Sequence, residues 1–258
     1  MRRAWLACAS LAASLAAPSV NAAEIRMLSA GAVEIGLRPA LAEFERSSGH
    51  VVRIGFASAP QIARALAADP DADIVIAPRA VLDAAARAGT VGTERVPIGK
   101  VGIGVAIRPG AAVPDIGSVE ALKKELLGAD SVVFNRASTG LYIETMLKTL
   151  GIADAVNAKA TRVDDGASVM RRLLAGSATH EFGFGATTEI VLFAGRGLKL
   201  VGPLPEAIQN ATTYIAAPMM RAVSPVAPNG AAVAALLQHL QSAPSRAAFA
   251  NAGIEPAR

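Results

Sequence analysis

The sequence predicts an α/β fold of two lobes, each a mainly parallel sheet flanked by helices. Two observations predict it. Short apolar runs of strand length alternate with amphipathic helical segments along most of the chain, and strands that alternate with helices are typical of parallel sheets. No long linker separates the two halves of the sequence. We therefore expect two lobes joined by crossing strands rather than two independent domains.

Residues 1–22 have the organisation of a secretory signal peptide. A basic head with Arg2 and Arg3 precedes an apolar segment, and Val20-Asn21-Ala22 supplies small residues for cleavage. A first helix of the core is the alternative interpretation. Cleavage would remove Cys8, the only cysteine, and would lower the formal net charge from +4 to +2. After residue 23 the sequence has no run of about 20 apolar residues, the length that a membrane span needs.

The first strand-to-helix turn is a candidate anion site. The strand that begins near Ile25 leads into Ser29-Ala30-Gly31-Ala32, and an amphipathic helix is predicted from Glu34 to Arg46. These residues are too small to keep a ligand away from the backbone. Unpaired N–H groups and the positive end of the helix dipole would favour an anion there. Simple close packing of small residues is the alternative.

The second unit repeats this pattern. A strand over His50 to Phe56 is followed by Ala57-Ser58-Ala59-Pro60 and by a helix over Gln61 to Ala68. Ser58 is predicted either to cap that helix or to offer its hydroxyl to a ligand. A third unit has a buried strand over Ile74 to Ala77 and a helix over Ala80 to Ala88.

The second half of the chain contains further small polar turns. Asn135 to Gly140 joins a strand over Ser131 to Phe134 to a helix over Leu141 to Leu150. Asp164 to Ala167 leads into another helix, predicted from Ser168 to Ala175. The remaining predicted strands are Val101–Ile107, Ala158–Val163, Phe182–Thr188, Leu198–Leu204 and Thr212–Ala217. A helix is predicted to begin within Asp115–Ser118 and to end at Leu127, another covers Ala231–Ala243, and Ser245–Ala252 closes the chain.

Signals of catalysis and metal binding are weak. His50, His180 and His239 belong to no HExxH or Cys/His spacing, and no G-x-S-x-G nucleophile elbow occurs. The Asp164-Asp165 pair precedes a helix, where carboxylates ordinarily act as caps. No Lys/Arg run with interleaved aromatic residues indicates nucleic acid binding. We expect no enzymatic activity, no cofactor and no metal.

Nearly the whole chain, from Glu24 to Pro256, resembles a known family. The resemblance rests on the order and spacing of five segments. They are Leu28-Ser29-Ala30-Gly31-Ala32-Val33, Phe56-Ala57-Ser58-Ala59, Ala72-Asp73-Ile74-Val75-Ile76, Ser138-Thr139-Gly140-Leu141-Tyr142 and Gly202-Pro203-Leu204-Pro205. The family is the type 2 periplasmic solute-binding proteins of ABC importers, particularly the molybdate-binding branch. The resemblance implies a two-lobed periplasmic protein that closes on a small oxyanion and delivers it to a membrane permease.

The resemblance also implies the position of the binding loops. Residues predicted to bind the ligand are Ser29, Ala30, Gly31, Ala32, Ser58, Ala59, Ser138, Thr139, Gly140, Tyr142, Asp165, Gly166 and Thr187. The family's hydroxyl donors are altered, because its first-loop serine falls at Gly31 or Ala32 and its late tyrosine at Ala186. Tyr142, Thr187 and Thr188 are predicted substitutes. A changed donor set changes the preferred ligand, so another oxyanion or a small carboxylate is an alternative to molybdate.

The resemblance predicts two lobes and a monomer. Lobe 1 is expected to comprise residues 24–98 and 206–258, and lobe 2 residues 99–205. Two other functions stay open: a secreted hydrolase that uses a turn serine with His50 or His180, and a ligand-sensing module like the effector domains of bacterial regulators. The absence of a DNA-binding segment and the predicted signal peptide weigh against the second.

Overall fold

Residues 22–224 and 227–257, which the computed structural model describes, form nine strands and ten α-helices. The strands are β1 (Glu24–Ala30), β2 (Val51–Ala57), β3 (Ile74–Pro78), β4 (Val96–Ile107), β5 (Ser131–Asn135), β6 (Ala160–Val163), β7 (Glu181–Ala186), β8 (Lys199–Pro203) and β9 (Ala211–Pro218). The helices are α1 (Glu34–Ser48), α2 (Ala59–Ala67), α3 (Arg79–Arg87), α4 (Val119–Gly128), α5 (Ser138–Thr149), α6 (Ala153–Asn157), α7 (Gly166–Ala175), α8 (Thr187–Leu192), α9 (Gly230–Leu240) and α10 (Ala243–Asn251). Except for Ala22, the predicted signal peptide lies outside the described residues.

Strand β4 belongs to two sheets and joins the lobes. Its first half, as far as Gly102, pairs antiparallel with β9 in the sheet β2-β1-β3-β9-β4. From Ile103 onward it pairs antiparallel with β7 and β8, in the sheet that continues through β5 and β6. Strand β9 also pairs antiparallel with β3. The remaining pairings, β1 with β2 and β3 and β5 with β6 and β7, are parallel. Every antiparallel pairing between these strands therefore involves β4 or β9. The residue boundaries of the two lobes stay a prediction.

Each sheet is covered by apolar helix faces. In lobe 1 one core gathers the buried side chains of β1 and β3 and of helices such as α1, where Leu37, Leu41 and Phe44 face inward as the sequence pattern predicts. In lobe 2, α4, α5 and α6 cover one face of the sheet, and α7 and α8 cover the other. Burial of these apolar residues is the main source of stability.

The structure differs from the predicted elements mainly at their beginnings. Helix α5 begins at Ser138 rather than Leu141, because Asn135 Oδ1 accepts hydrogen bonds from the N–H groups of Ala137 and Gly140 at 2.9 and 3.1 Å. Helix α7 begins at Gly166, because Asp165 caps it by accepting from Ser168 N at 2.7 Å. The short helix α6 was not predicted. These caps place small residues in first turns of helices rather than in loops.

Strand β4 also begins earlier than predicted, at Val96. Gly99 permits this extension, since its φ of 151° is a conformation that other residues rarely adopt. A Cβ atom there would lie 2.4 Å from the Ile254 side chain and 2.5 Å from the Glu255 carbonyl oxygen. The backbone of the C-terminal segment thus approaches β4 closely, and Lys100 exchanges backbone hydrogen bonds with Glu255 at 2.7 and 2.9 Å.

Candidate ligand-binding site

A small cavity of about 30 Å³ lies between the lobes, where the carboxyl ends of several strands meet. Ligands of open α/β sheets ordinarily bind at this edge. The residues that line it are Ala30, Gly31, Ala32, Ala57, Ser58, Ala59, Pro78, Asn135, Ala137, Ser138, Thr139, Gly166, Ala186, Glu189 and Tyr214. They come from the ends of β1, β2, β3, β5 and β7, and from β9, so both lobes contribute to one site.

Helix beginnings from both lobes meet at this cavity. The turn before α1 and the start of α2 face it from lobe 1, and the starts of α5 and α7 face it from lobe 2. Within the described residues, the N–H groups of Ser138 and Thr139 have no protein acceptor, since Asn135 accepts only from the neighbouring positions. Such free N–H groups and the aligned helix dipoles favour an anionic ligand.

Glu189 is the carboxyl-bearing side chain of this cavity. It lies in the first turn of α8, and its carboxylate occupies the space that side chains at two glycines would otherwise fill. A Cβ atom at Gly31 would lie 3.1 Å from Glu189 Oε1, and one at Gly166 would lie 1.9 Å from Glu189 Oε2. Gly31 belongs to lobe 1 and Gly166 to lobe 2. The two glycines therefore admit a carboxylate between the lobes.

The surroundings of Glu189 favour its protonated form. Burial raises its pKa from the ordinary 4.5 to about 7, and the charges of Asp165 and, more weakly, Glu34 act in the same direction. A hydrogen bond with the backbone of Ala186 acts against them. The two acidic neighbours have their own partners: Glu34 pairs with Arg38 at 2.6 Å and Asp165 with Arg171 at 3.7 Å. Glu189 thus titrates near neutral pH.

Tyr214 on β9 is the second titratable side chain that lines the cavity. It is 7% exposed, and burial, followed by the charge of Glu189, raises its pKa far above the ordinary 10. A hydrogen bond with Thr212 only partly offsets this. Its hydroxyl therefore stays protonated at any physiological pH and can donate a hydrogen bond.

Most of the residues predicted from the sequence lie at this cavity. Those that line it are Ala30, Gly31, Ala32, Ser58, Ala59, Ser138, Thr139 and Gly166. Asp165 lies beside it, in an adjoining depression with Glu34 and Glu189. The Ser58 hydroxyl donates to Gln61 Oε1 at 2.8 Å, and the Ser58 N–H donates to the same oxygen at 2.7 Å. Contact of these residues with a ligand stays a prediction.

Four other predicted residues do not line the cavity: Ser29, Gly140, Tyr142 and Thr187. Ser29 is fully buried, and its hydroxyl donates to the Ala30 carbonyl. Gly140 packs on β5, where a Cβ atom would lie 1.5 Å from the Asn135 carbonyl oxygen. Tyr142 donates to the carbonyl of Ile208 at 2.6 Å.

The hydroxyl-bearing pair at the start of α8 also has other partners. Thr187 packs its methyl group toward Gly104 of β4. Thr188, predicted as a substitute donor, instead donates to the Ala32 carbonyl and so ties α8 to lobe 1.

Three polar residues of the cavity are absent from the predicted binding set. The local sequence places Asn135 in a turn and Tyr214 in a strand, and Glu189 directly follows the predicted strand Phe182–Thr188. The spacing of Glu189 from the small residue Ala186 is that of an ordinary acidic first turn, so the local sequence contains no sign of its role.

The described residues contain no group of three or more His, Cys, Asp or Glu side chains that could hold a metal ion. A helix with the length and apolar character to cross a membrane is likewise absent from the part of the chain that the structure describes. No described histidine lines the cavity. His50 accepts from Ala23 N at 3.2 Å, and His180 lies 3.5 Å from Glu125, so neither pairs with a serine as the hydrolase alternative requires.

Comparison with known proteins identifies a family, a relative that is named as an enzyme, and solved structures of similar fold. The family model of the bacterial extracellular solute-binding proteins matches residues 25–255. A Pseudomonas sp. protein named aconitate isomerase is 30% identical over 244 residues, which cover 90% of this chain and 87% of that protein. The periplasmic molybdate-binding protein of Azotobacter vinelandii superposes with a TM-score of 0.74 at 15% identity, covering 91% of this chain and all of that one (100%).

PEB3 of Campylobacter jejuni, in a structure with bound L-phospholactate, superposes with a TM-score of 0.67 at 12% identity, covering 90% of this chain and 100% of the other. These structural similarities confirm the predicted two-lobed fold. At such low identity they show the fold alone.

Proposed function

This chain belongs to the bacterial extracellular solute-binding proteins, and on that premise we propose that it captures a small anion between its lobes for delivery to the permease of an ABC importer. The observation that carries the proposal is the meeting of four helix beginnings, from both lobes, at one small cavity. A ligand there would contact both lobes at once, and those extra contacts would favour the closed state.

The proposal includes export and a monomeric state. Residues 1–22 would direct the chain to the periplasm and be removed, as expected for a protein that supplies a permease. The basic head, the apolar segment and the small residues before Ala22 support this. Determination of the N-terminal residue of the protein from a periplasmic extract would test it.

The ligand we propose is a small oxyanion or a small carboxylate. Backbone N–H groups at the starts of the lining helices and the Tyr214 hydroxyl offer hydrogen-bond donors to it. Molybdate is one candidate, because the Azotobacter vinelandii neighbour is a molybdate-binding protein. An organic anion is another, because PEB3 holds L-phospholactate.

Thermal denaturation with a panel of anions would test capture. Molybdate, tungstate, sulfate, phosphate and small carboxylates would each be added at increasing concentration. An anion at 100 times its Kd stabilises the folded state by about 2.7 kcal/mol. For a chain of this size that is a rise in Tm of roughly 5–10 °C. No rise with any anion would overturn the proposal.

A proline variant sharpens this test. Ser138 is the first residue of α5, a position where proline fits a helix but has no N–H. Ser138→Pro should therefore keep the fold and weaken anion binding about tenfold or more, since a hydrogen bond to a charged group contributes about 1.5–3 kcal/mol. Val119→Pro makes the same change at the start of α4, outside the cavity, and should bind as the unaltered protein does.

A second candidate function is favoured by Glu189, Tyr214 and the aconitate isomerase relative. A general base works best with a pKa near the operating pH, and that of Glu189 is about 7. In this candidate the substrate is aconitate, and Glu189 removes a proton from the CH₂ group between a carboxylate and the double bond. It returns the proton to the carbon at the other end of the allylic system, so that the double bond moves. No atom is gained or lost. Tyr214 donates a hydrogen bond to the carboxylate.

This candidate predicts that the protein interconverts cis-aconitate and trans-aconitate and that, in D₂O, deuterium enters the product. Proton NMR measures both the isomerisation and the incorporation of deuterium. Glu189→Gln should abolish both signals. If the unaltered protein shows neither over many hours, only capture remains.

A further inference from the structure

We propose that the cavity binds its anion together with one proton, which Glu189 and the ligand share. This inference rests on the proposed capture of an anion and specifies its chemistry. The site would therefore favour anions that carry a proton of their own, such as hydrogen phosphate or an organic phosphate, over fully ionised sulfate or molybdate at pH 8 and above.

The distribution of charge around the cavity is the first argument. Among the described residues that line it, Glu189 is ionisable near neutral pH and none is Lys, Arg or His. An anion in the cavity would meet backbone N–H groups and one carboxylate. If that carboxylate were ionised, like charges would lie side by side without a cation between them, which proteins avoid by protonating one partner.

The neighbouring cations do not change this. On the elements packed around Glu189, the acidic groups that act on it are Glu34, which pairs with Arg38 on α1, and Asp165, which pairs with Arg171 at α7. Each arginine is already paired with its own carboxylate, and neither lines the cavity. The other charged residues of those elements do not line the cavity: Glu43, Glu45, Arg46, Lys100, Arg172, Glu181, Arg196 and Lys199. Tyr214, the remaining titratable group, is a neutral donor. The carboxylates thus add to the unfavourable field at Glu189.

The position of the carboxylate is the second argument. Glu189 is held between Gly31 of lobe 1 and Gly166 of lobe 2, and its oxygens would collide with a side chain at Gly166. It lies between the same helix beginnings that face the ligand space. A closed, ligand-filled cavity therefore keeps Glu189 beside the ligand, where one proton between two oxygen atoms converts repulsion into a strong hydrogen bond.

The pKa of the ligand-free carboxyl makes this coupling measurable. Since the pKa of Glu189 is about 7, the ligand-free protein already holds the proton at pH 6 and has lost it at pH 8.5. Capture of a fully ionised anion at pH 8.5 must then take one proton from solution. Its Kd should rise about tenfold for each pH unit above 7 and become independent of pH below about 6.

Isothermal titration calorimetry tests the inference directly. Sulfate, molybdate, phosphate and malonate would each be titrated at pH 6.0 and 8.5, in two non-phosphate buffers of different ionisation enthalpy at each pH. For sulfate, molybdate and malonate, uptake should approach one proton per ligand at pH 8.5 and nearly zero at pH 6.0. Phosphate should show less uptake and a smaller loss of affinity.

The Glu189→Gln variant removes the titrating group and keeps its shape. Its sulfate affinity at pH 8.5 should match its affinity at pH 6.0, with no proton uptake. Glu120→Gln is the matched control, because Glu120 is an exposed acid in the first turn of α4. It should keep the pH dependence of the unaltered protein.

The two proposals fail differently. If no anion binds the unaltered protein or Glu189→Gln at either pH, capture itself is overturned, and the proton coupling with it. If an anion binds with the same Kd at both pH values and without proton uptake, capture stands and the coupling is overturned. The linkage measured on the unaltered protein decides this even if the variant does not fold.

Discussion

Replacing Glu189 by glutamine should stabilise the ligand-free protein above pH 7 and leave its stability almost unchanged near pH 4.5. Glutamine has nearly the same shape, can still accept the hydrogen bond from the Ala186 backbone, and cannot ionise. The variant therefore isolates the cost of a carboxylate held between Gly31 and Gly166.

The sign follows from the direction of the pKa shift. Folding raises the pKa of Glu189 from 4.5 to about 7, so the folded state holds this proton more tightly than the unfolded state. Below pH 4.5 the Glu189 carboxyl is protonated in both the folded and the unfolded state and does not lower the free energy of unfolding. Between these values stability falls as the pH rises, and above 7 the full cost is present.

The magnitude follows from the same shift. At about 1.4 kcal/mol for each pH unit, the upper limit is about 3 kcal/mol. The solvent-accessible area of Glu189 is intermediate between buried and exposed. Screening by solvent in the cavity should therefore reduce the destabilisation to about 2 kcal/mol. For a chain of this size, Tm should rise by roughly 4–8 °C at pH 8.

Thermal denaturation of Glu189→Gln and the unaltered protein at pH 4.5 and pH 8, both without added anions, measures the effect. Glu120→Gln should show no such gain at pH 8. A Glu189→Gln variant that gains equally at both pH values, or that is less stable at pH 8, would show that the carboxyl is not held in an unfavourable site.

Three further substitutions probe the same cavity. Gly166→Ala should abolish the rise in Tm caused by a bound anion, because the added methyl group must displace the Glu189 carboxylate; Gly195→Ala, with open space around it, should not. Asn135→Ala should destabilise the protein by about 2–3 kcal/mol in urea denaturation, because two N–H groups at the start of α5 lose their acceptor. Asp165→Asn should keep the cap of α7 and lower the pKa of Glu189, because it removes the second largest cause of the shift. NMR of the carboxyl group measures this pKa, and an unchanged value would contradict the expectation.

The repeated strand-to-helix units could be predicted from the sequence because their signals are local. The turn after β1 and the turn before α2 contain the small residues that the structure places at the cavity. Strand order and the division of β4 between two sheets could not be read in this way. They depend on pairings such as Ile103 with Ala186, which join distant parts of the chain.

The predicted hydroxyl donors illustrate the limit of local reasoning. Tyr142 was expected to replace a missing donor, but α5 begins at Ser138, so Tyr142 lies one helical turn further on and its hydroxyl reaches Ile208 instead. Tyr214 occupies the cavity from a crossing strand. Which tyrosine lines the cavity depends on where α5 begins and on the position of β9, and the local sequence pattern specifies neither.

Glu189 also separates the two candidate functions, because they require opposite protonation states. Proton-coupled capture needs a protonated carboxyl, so affinity for a fully ionised anion should fall as the pH rises above 7. Proton abstraction needs the ionised form, so kcat for isomerisation should rise with pH, with a midpoint above 7 because the bound anion raises the pKa of Glu189 further. Measuring Kd and isomerisation rate of the same tricarboxylate between pH 6 and 9 therefore decides between them. Binding that weakens with pH and no turnover identifies a receptor, whereas turnover that increases with pH identifies an isomerase built on a receptor fold.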